Sequence, residues 1–386
     1  MPRAHTHAPL SRRGLFGAAA VAGLVLAGCA AEPRASRDGD RAPRDEAVPE
    51  EPQPVARELL LVSLARSDEV AVIDPALPDA EAVHRIRAGA APWGVAVASG
   101  GATAYAATAE GLAVIDLAAG ERSALVAYRH PAPFVSSGEY RPGGLGLAVS
   151  PDGSRVYVAV SSGAGGAVLE VFDTAAGAFV GEAAVGERPF DVLVAPDGSW
   201  AATVDHDGFG VTVIDAVSLE PTTHRVAPFG SEGGLASWEK PHYGAVEADG
   251  SVLLPVQGRT VVRLDPRTGA TSAIPSAANS HSHGTALAGR SLLTVGTGAF
   301  GNATGGPNLS VLDLDSGSER LVPTAVPHET VAPWKDPAGR EYAAMAGGNT
   351  RDAGWDGITL VALDDLSTRE IPVPGYPQAI VRFARS

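Results

Sequence analysis

Cysteine is nearly absent. Cys29 is the only one in 386 residues, which excludes a disulfide within the chain. Lysine is almost as scarce, with Lys240 and Lys335 alone, and no basic cluster occurs beyond the N-terminal leader. The formal charge is −15, and setting aside residues 1–28 removes Arg3, Arg12 and Arg13 but no acid, leaving the remainder more negative still. A surface of that sign repels polyphosphate, so nucleic acid is excluded as a partner, while solubility and cations are favoured. Long apolar runs are missing too. The stretch after Arg13 is about 15 residues, short of the ~20 that a membrane helix needs. No glycine-rich phosphate loop, His-Glu-x-x-His pair or Gly-x-Ser-x-Gly elbow is present, which removes the simplest nucleotide, zinc-protease and serine-hydrolase readings.

What is present is a repeat. Seven hydrophobic runs end in an aspartate: Asp74, Asp116, Asp173, Asp215, Asp265, Asp313 and Asp364. Their spacing of roughly 40 to 60 residues is the period of a protein with one four-stranded unit per repeat. Upstream of several runs an Asp-Gly pair separates two β-rich segments, as at Asp152-Gly153, Asp197-Gly198 and Asp249-Gly250, which predicts a hairpin. The aspartates themselves are expected to shape turns, because Asp bonds its own backbone two residues on.

The N-terminal part supplies only three strands of a repeat, near Glu58–Leu64, Glu69–Asp74 and Ala82–Ile86, and the C-terminus only a first strand, near Pro377–Phe383. Joining the two makes one shared blade and covers the exposed strand edges. The expectation is an all-β, seven-bladed β-propeller over residues 56–386, closed by the C-terminal inner strand, and a monomer. The motifs resemble the bacterial seven-bladed propellers of the YVTN type.

The leader carries an address. Ser11-Arg12-Arg13-Gly14-Leu15-Phe16 resembles a twin-arginine export signal, and Leu26-Ala27-Gly28-Cys29 resembles a lipobox. These resemblances imply an export signal over residues 1–28, cleavage before Cys29 and a lipid on its sulfur, hence an extracytoplasmic protein anchored to the bacterial cell membrane. Residues 29–55, rich in Pro, Arg, Asp and Glu, read as a disordered tether.

The repeat also gives a register. At the start of each inner strand the column reads Trp93, Leu145, Phe190, His242, His283, His328 and Gln378. Three consecutive blades thus place histidine at the channel mouth. His206, in the Asp205-His206-Asp207-Gly208 loop, and His281 fall on the same face. Three imidazoles converging with a fourth position open form a zinc-type ligand set. Asp205, Asp207, Glu329 and Asp356 are the acids placed to orient the rings or to replace a ligand. The competing reading is histidines hydrogen-bonded to backbone in a wet channel. Trp238, Trp334 and Trp355 fall in segments assigned to the rim, either for stacking on an organic ligand or for packing.

Pro241-His242-Tyr243-Gly244 before an Asp-Gly hairpin, followed one blade later by Ser282-His283-Gly284-Thr285-Ala286, resembles the extracytoplasmic zinc metallochaperones of the AztD type. The resemblance implies zinc ligation by His242 and His283 with His206 as third ligand, and a metal ABC transporter or its binding protein as partner. His328 is additional to that pattern, and the family's His/Asp-rich loop is not found. Two other functions stay open on the sequence: a lactonase-like hydrolase or lyase using the same rim, and an interaction scaffold without a small-molecule site.

Overall fold

A computed structural model describes residues 57–138, 140–163, 166–226, 240–256, 260–277, 282–296, 306–348 and 355–385, with the side chains of residues 282 and 283 excepted. The leader, Cys29 and the linker lie outside the described residues, as do His281 and Trp238. The described strands form seven four-stranded antiparallel sheets, and the one described helix is the single turn Asp79–Ala82.

Blade 1 is built from both ends of the chain. Its strands are Arg57–Leu64, Glu69–Ile73, Val83–Arg87 and, innermost, Pro377–Arg385. The closing pair is in register from Arg57↔Arg385 to Leu64↔Pro377. Blades 2 to 7 follow in chain order, with inner strands Val95–Val97, Gly143–Val149, Pro189–Val194, Ala245–Val246, Ser282–Ala288 and Val331–Lys335.

The core is distributed between the blades. Each blade-to-blade interface has its own cluster of buried apolar side chains. Leu60, Val62, Ile358 and Leu360 join blades 7 and 1, for example, and Val211, Val213, Leu254 and Leu264 join blades 4 and 5. Sheets covered on both faces explain why the strands read as nearly continuous apolar runs. An eighth cluster, Trp93, Leu145 and Phe190, sits at the channel.

The repeating aspartates are turn formers in six blades. Asp116 Oδ1, for instance, accepts the backbone N–H groups of Ala118 and Ala119, both at 2.9 Å. Such bonds hold Asp215 and Asp313 below the usual carboxylate range, and the Thr268 hydroxyl together with backbone N–H groups does the same for Asp265. Blade 7 departs from the expectation. Its third strand ends at Ala362, opposite Tyr342, and Asp364 lies two residues further on. The inner hairpin of this blade carries an additional rung, Lys335↔Glu341, which displaces Asp364 outward to pair with Arg340 at 2.8 Å.

Candidate functional site

The inner strands share a β-bulge, and the bulge fixes which side chains face the axis. In blade 2 Trp93 N–H donates to Ala107 C=O and Ala107 N–H to Gly94 C=O, so two residues face one. Blades 1, 3, 4 and 6 shift register at Gln378–Ala379, Leu145–Gly146, Phe190 and His283–Gly284. In blade 5, Pro241 pairs with Val256 and Ala245 with Leu253, so three residues face two. In blade 7 the bulged pair opposite Ala346 is Glu329–Thr330.

The ring is therefore Gln378, Trp93, Leu145, Phe190, His242, His283 and Glu329. This corrects the register read from sequence in one blade: Glu329, not His328, holds the ring position. A one-residue slip turns a side chain to the opposite face. His328 accordingly points into its own blade, where its Nε2 meets Thr359 Oγ1 at 2.8 Å. Burial pushes its pKa down to about 4, so the ring is neutral; the nearby Val326 carbonyl partly opposes that shift, although Nδ1 makes no well-formed hydrogen bond among the described residues.

The second residue of the bulge is glycine in blades 2, 3 and 6 for a steric reason. A Cβ on Gly94 would lie 2.6 Å from Leu145 O, on Gly146 2.7 Å from Asp191 Cα, and on Gly284 2.3 Å from Thr330 Cα. At this level the inner strands are stitched around the axis. Gly94 N–H donates to Leu145 O at 3.0 Å, Gly284 N–H to Glu329 O at 2.7 Å, and Thr330 Oγ1 to Gln378 O at 2.8 Å. Ser63 Oγ donates to Trp93 O and accepts from Ala379 N, linking blades 1 and 2.

All seven inner strands, or the residues leading into them, line a cavity of about 450 Å3. Trp93, Leu145 and Phe190 pack together as a floor at one end. The candidate rim side chains are not open to solvent: His206, His242 and Glu329 are all buried.

His206 and His242 come together. Their ring centroids are 4.5 Å apart, and Phe190 packs on His242 at 4.6 Å. His206 Nδ1 lies 2.9 Å from Pro241 O. A carbonyl can only accept, so Nδ1 carries a proton. Among the described residues no three His, Cys, Asp or Glu converge as a metal-ligand group. His283 holds its ring position through its backbone, with its side chain outside that description.

The flanking acids have other work. Asp205 accepts from Thr203 and Thr212 hydroxyls at 2.7 and 2.6 Å, and burial pushes it up to about 6. Asp207 is neutralised by Lys240 at 2.7 Å and Arg188 at 2.8 Å. Asp356 is exposed and accepts from Tyr376 N–H. Trp334 is core, buried between blades 7 and 1 with Nε1 donating to Glu58 O.

Two groups escaped the sequence reading. Asp191, in the channel wall, accepts from Gly244 N–H across the blade interface, and burial raises it to about 7. Arg141 is buried at 2% exposure. Asp191 was one residue past the register column and so within reach of inspection; nothing in the sequence around Arg141 marks it.

No family model matches the chain, and no curated protein matches it. Solved structures do. An uncharacterised protein from Desulfotomaculum acetoxidans aligns with TM-score 0.61 at 8% identity, over 85% of this chain and 99% of that one. A catalytically inactive variant of virginiamycin B lyase from Staphylococcus aureus, with quinupristin, aligns with TM-score 0.53 at 14% identity, over 73% and 84%. The dihydro-heme d1 dehydrogenase NirN aligns with TM-score 0.53 at 18% identity, over 86% and 72%. At these identities the likeness is one of fold, and the fold hosts unrelated activities.

Proposed function

We propose that the protein binds a divalent metal ion, zinc by preference, at the closed end of the channel, and stores it or hands it on outside the cell. The observation that carries this is the His206–His242 pair, buried, in contact, and with His206 Nδ1 held by the Pro241 carbonyl. Neutral imidazoles on rigid elements suit zinc. His283, next in the ring, would complete a three-imidazole set, and Glu329, at the following ring position, is the acid placed to orient a ligand. The lipobox-like Cys29 supports a membrane-anchored, extracytoplasmic setting, in which a metal ABC transporter or its binding protein is the recipient.

Metal content measured by mass spectrometry after dialysis of the purified protein, followed by titration against a chromophoric chelator, tests the reading. One zinc per chain is expected, and the H206A/H242A double variant should lose it. Equal, negligible zinc in both proteins overturns the proposal. The lactonase-like alternative draws on the same ring and is tested by screening the zinc-loaded protein on lactones.

A further inference from the structure

Opposite the histidines the ring carries a second kind of chemistry. Gln378 and Trp93 hold adjacent ring positions, on blades 1 and 2, where Ser63 Oγ links Trp93 O to the N–H of Ala379. Gln378 is 0% exposed, and both its amide atoms lack a hydrogen-bond partner. Trp93 is 2% exposed, and its Nε1–H is likewise unpartnered. Buried polar groups are nearly always paired, so two such groups at adjacent ring positions call for an explanation.

Arg141 adds a third. Its guanidinium carbon lies 5.9 Å from the centroid of the Trp93 ring. It donates to the carbonyls of Pro142, Gly144 and, at 3.5 Å, Ala107, while Nε–H has no acceptor. No carboxylate pairs with it among the described residues. Burial lowers its pKa only to about 10, so the charge persists at neutral pH. A buried cation without a counter-ion is costly, and here it sits near the idle Trp93 donor. Trp93 also lines the channel, whose walls at Val95, Leu147 and Val192 are apolar.

We propose that the closed end of the channel binds an organic carboxylate, its acid group held by Trp93 Nε1–H and Gln378 Nε2–H with Arg141 as counter-charge, and its apolar body lying in the cavity. This site is carried by residues other than the proposed metal ligands and stands independently of the metal.

The test is calorimetric titration of metal-free protein with three probes: hexanoate, hexanol and inorganic phosphate. Hexanoate is expected to bind and to raise the melting temperature, with hexanol and phosphate each at least about tenfold weaker, since one lacks the charge and the other the apolar body. Trp93→Phe removes one N–H with little change of shape, and Arg141→Met removes the charge; each should weaken hexanoate about tenfold. Circular dichroism checks that the variants are folded, and the Trp93→Phe variant decides the matter if Arg141→Met is not. The proposal is overturned if hexanoate does not bind, if hexanol binds as well, if phosphate alone binds, or if the folded variants bind hexanoate unchanged. Zinc content measured on the same preparations separates this outcome from that of the metal reading.

Discussion

The imidazoles of His206 and His242 lie 4.5 Å apart, with planes 33° from parallel, although one sits in a loop of blade 4 and the other leads into blade 5. The contact depends on the Pro241 carbonyl, which holds His206 Nδ1 at 2.9 Å and so ties the loop to the residue just before His242. One carbonyl thus fixes both the Nδ1 proton and the distance.

The ring register separates two adjacent residues by function. Glu329→Gln should weaken zinc affinity about tenfold or more, as loss of an acid that orients a ligand does. His328→Asn, whose native side chain points into the blade toward Thr359, should change affinity by less than about twofold while lowering stability. Chelator competition on both variants checks this, and the reverse order of effects would restore the register read from sequence.

Close approach of the inner strands sets a steric limit. Gly284→Ala places a methyl 2.3 Å from Thr330 Cα, and should cost about 1–3 kcal/mol in denaturant unfolding through overpacking. Gly166→Ala, whose Cβ would meet only Ser162 Oγ at 3.6 Å, should cost under about 0.5 kcal/mol.

Asp191 should impose a pH dependence on stability. Burial raises its folded-state pKa from 3.8 to about 7. An acid shifted upward leaves the unfolded state the more ionised, so the penalty is absent below about pH 4, grows as pH rises, and is complete above about pH 7. Asp191→Asn should therefore gain stability relative to the parent at pH 8, by about 1–2 kcal/mol after allowance for partial exposure, with no such gain at pH 4. Chemical denaturation at both pH values measures the difference; a gain independent of pH would refute the assignment.

Blade closure makes the C-terminus structural. Removing residues 377–386 deletes the strand that pairs with Arg57–Leu64. It also uncovers one edge of blade 1 and part of the cluster that contains Leu60 and Ile380. Such a truncation should lose the cooperative melting transition seen by calorimetry, whereas removing Ser386 alone should not.

Much of the architecture was legible because it repeats. Seven blades, the shared first blade and the turn role of six aspartates all follow from period and hairpin chemistry, which are local. The departures come from blade 7, where an additional hairpin rung moves Asp364 from the head of the turn into its middle, Ala362 taking the head position, and the bulge brings Glu329, rather than His328, to the axis. Pro327-His328-Glu329-Thr330 looks like Pro241-His242-Tyr243-Gly244 as text, and only the pairing with Ala346 counts the residues correctly.

The sequence by itself determined that this chain folds as a seven-bladed propeller closed by its own C-terminal strand, because alternation, turn residues and repeat length act within a few residues of one another. Tertiary structure alone decided which side chains meet at the axis. That choice depends on bulges, on backbones passing within contact at Gly94, Gly146 and Gly284, and on burial that closes the channel end over Trp93, Arg141 and Gln378. These are relations between blades, and a single-residue slip in any one of them exchanges the residue that faces the channel for its neighbour.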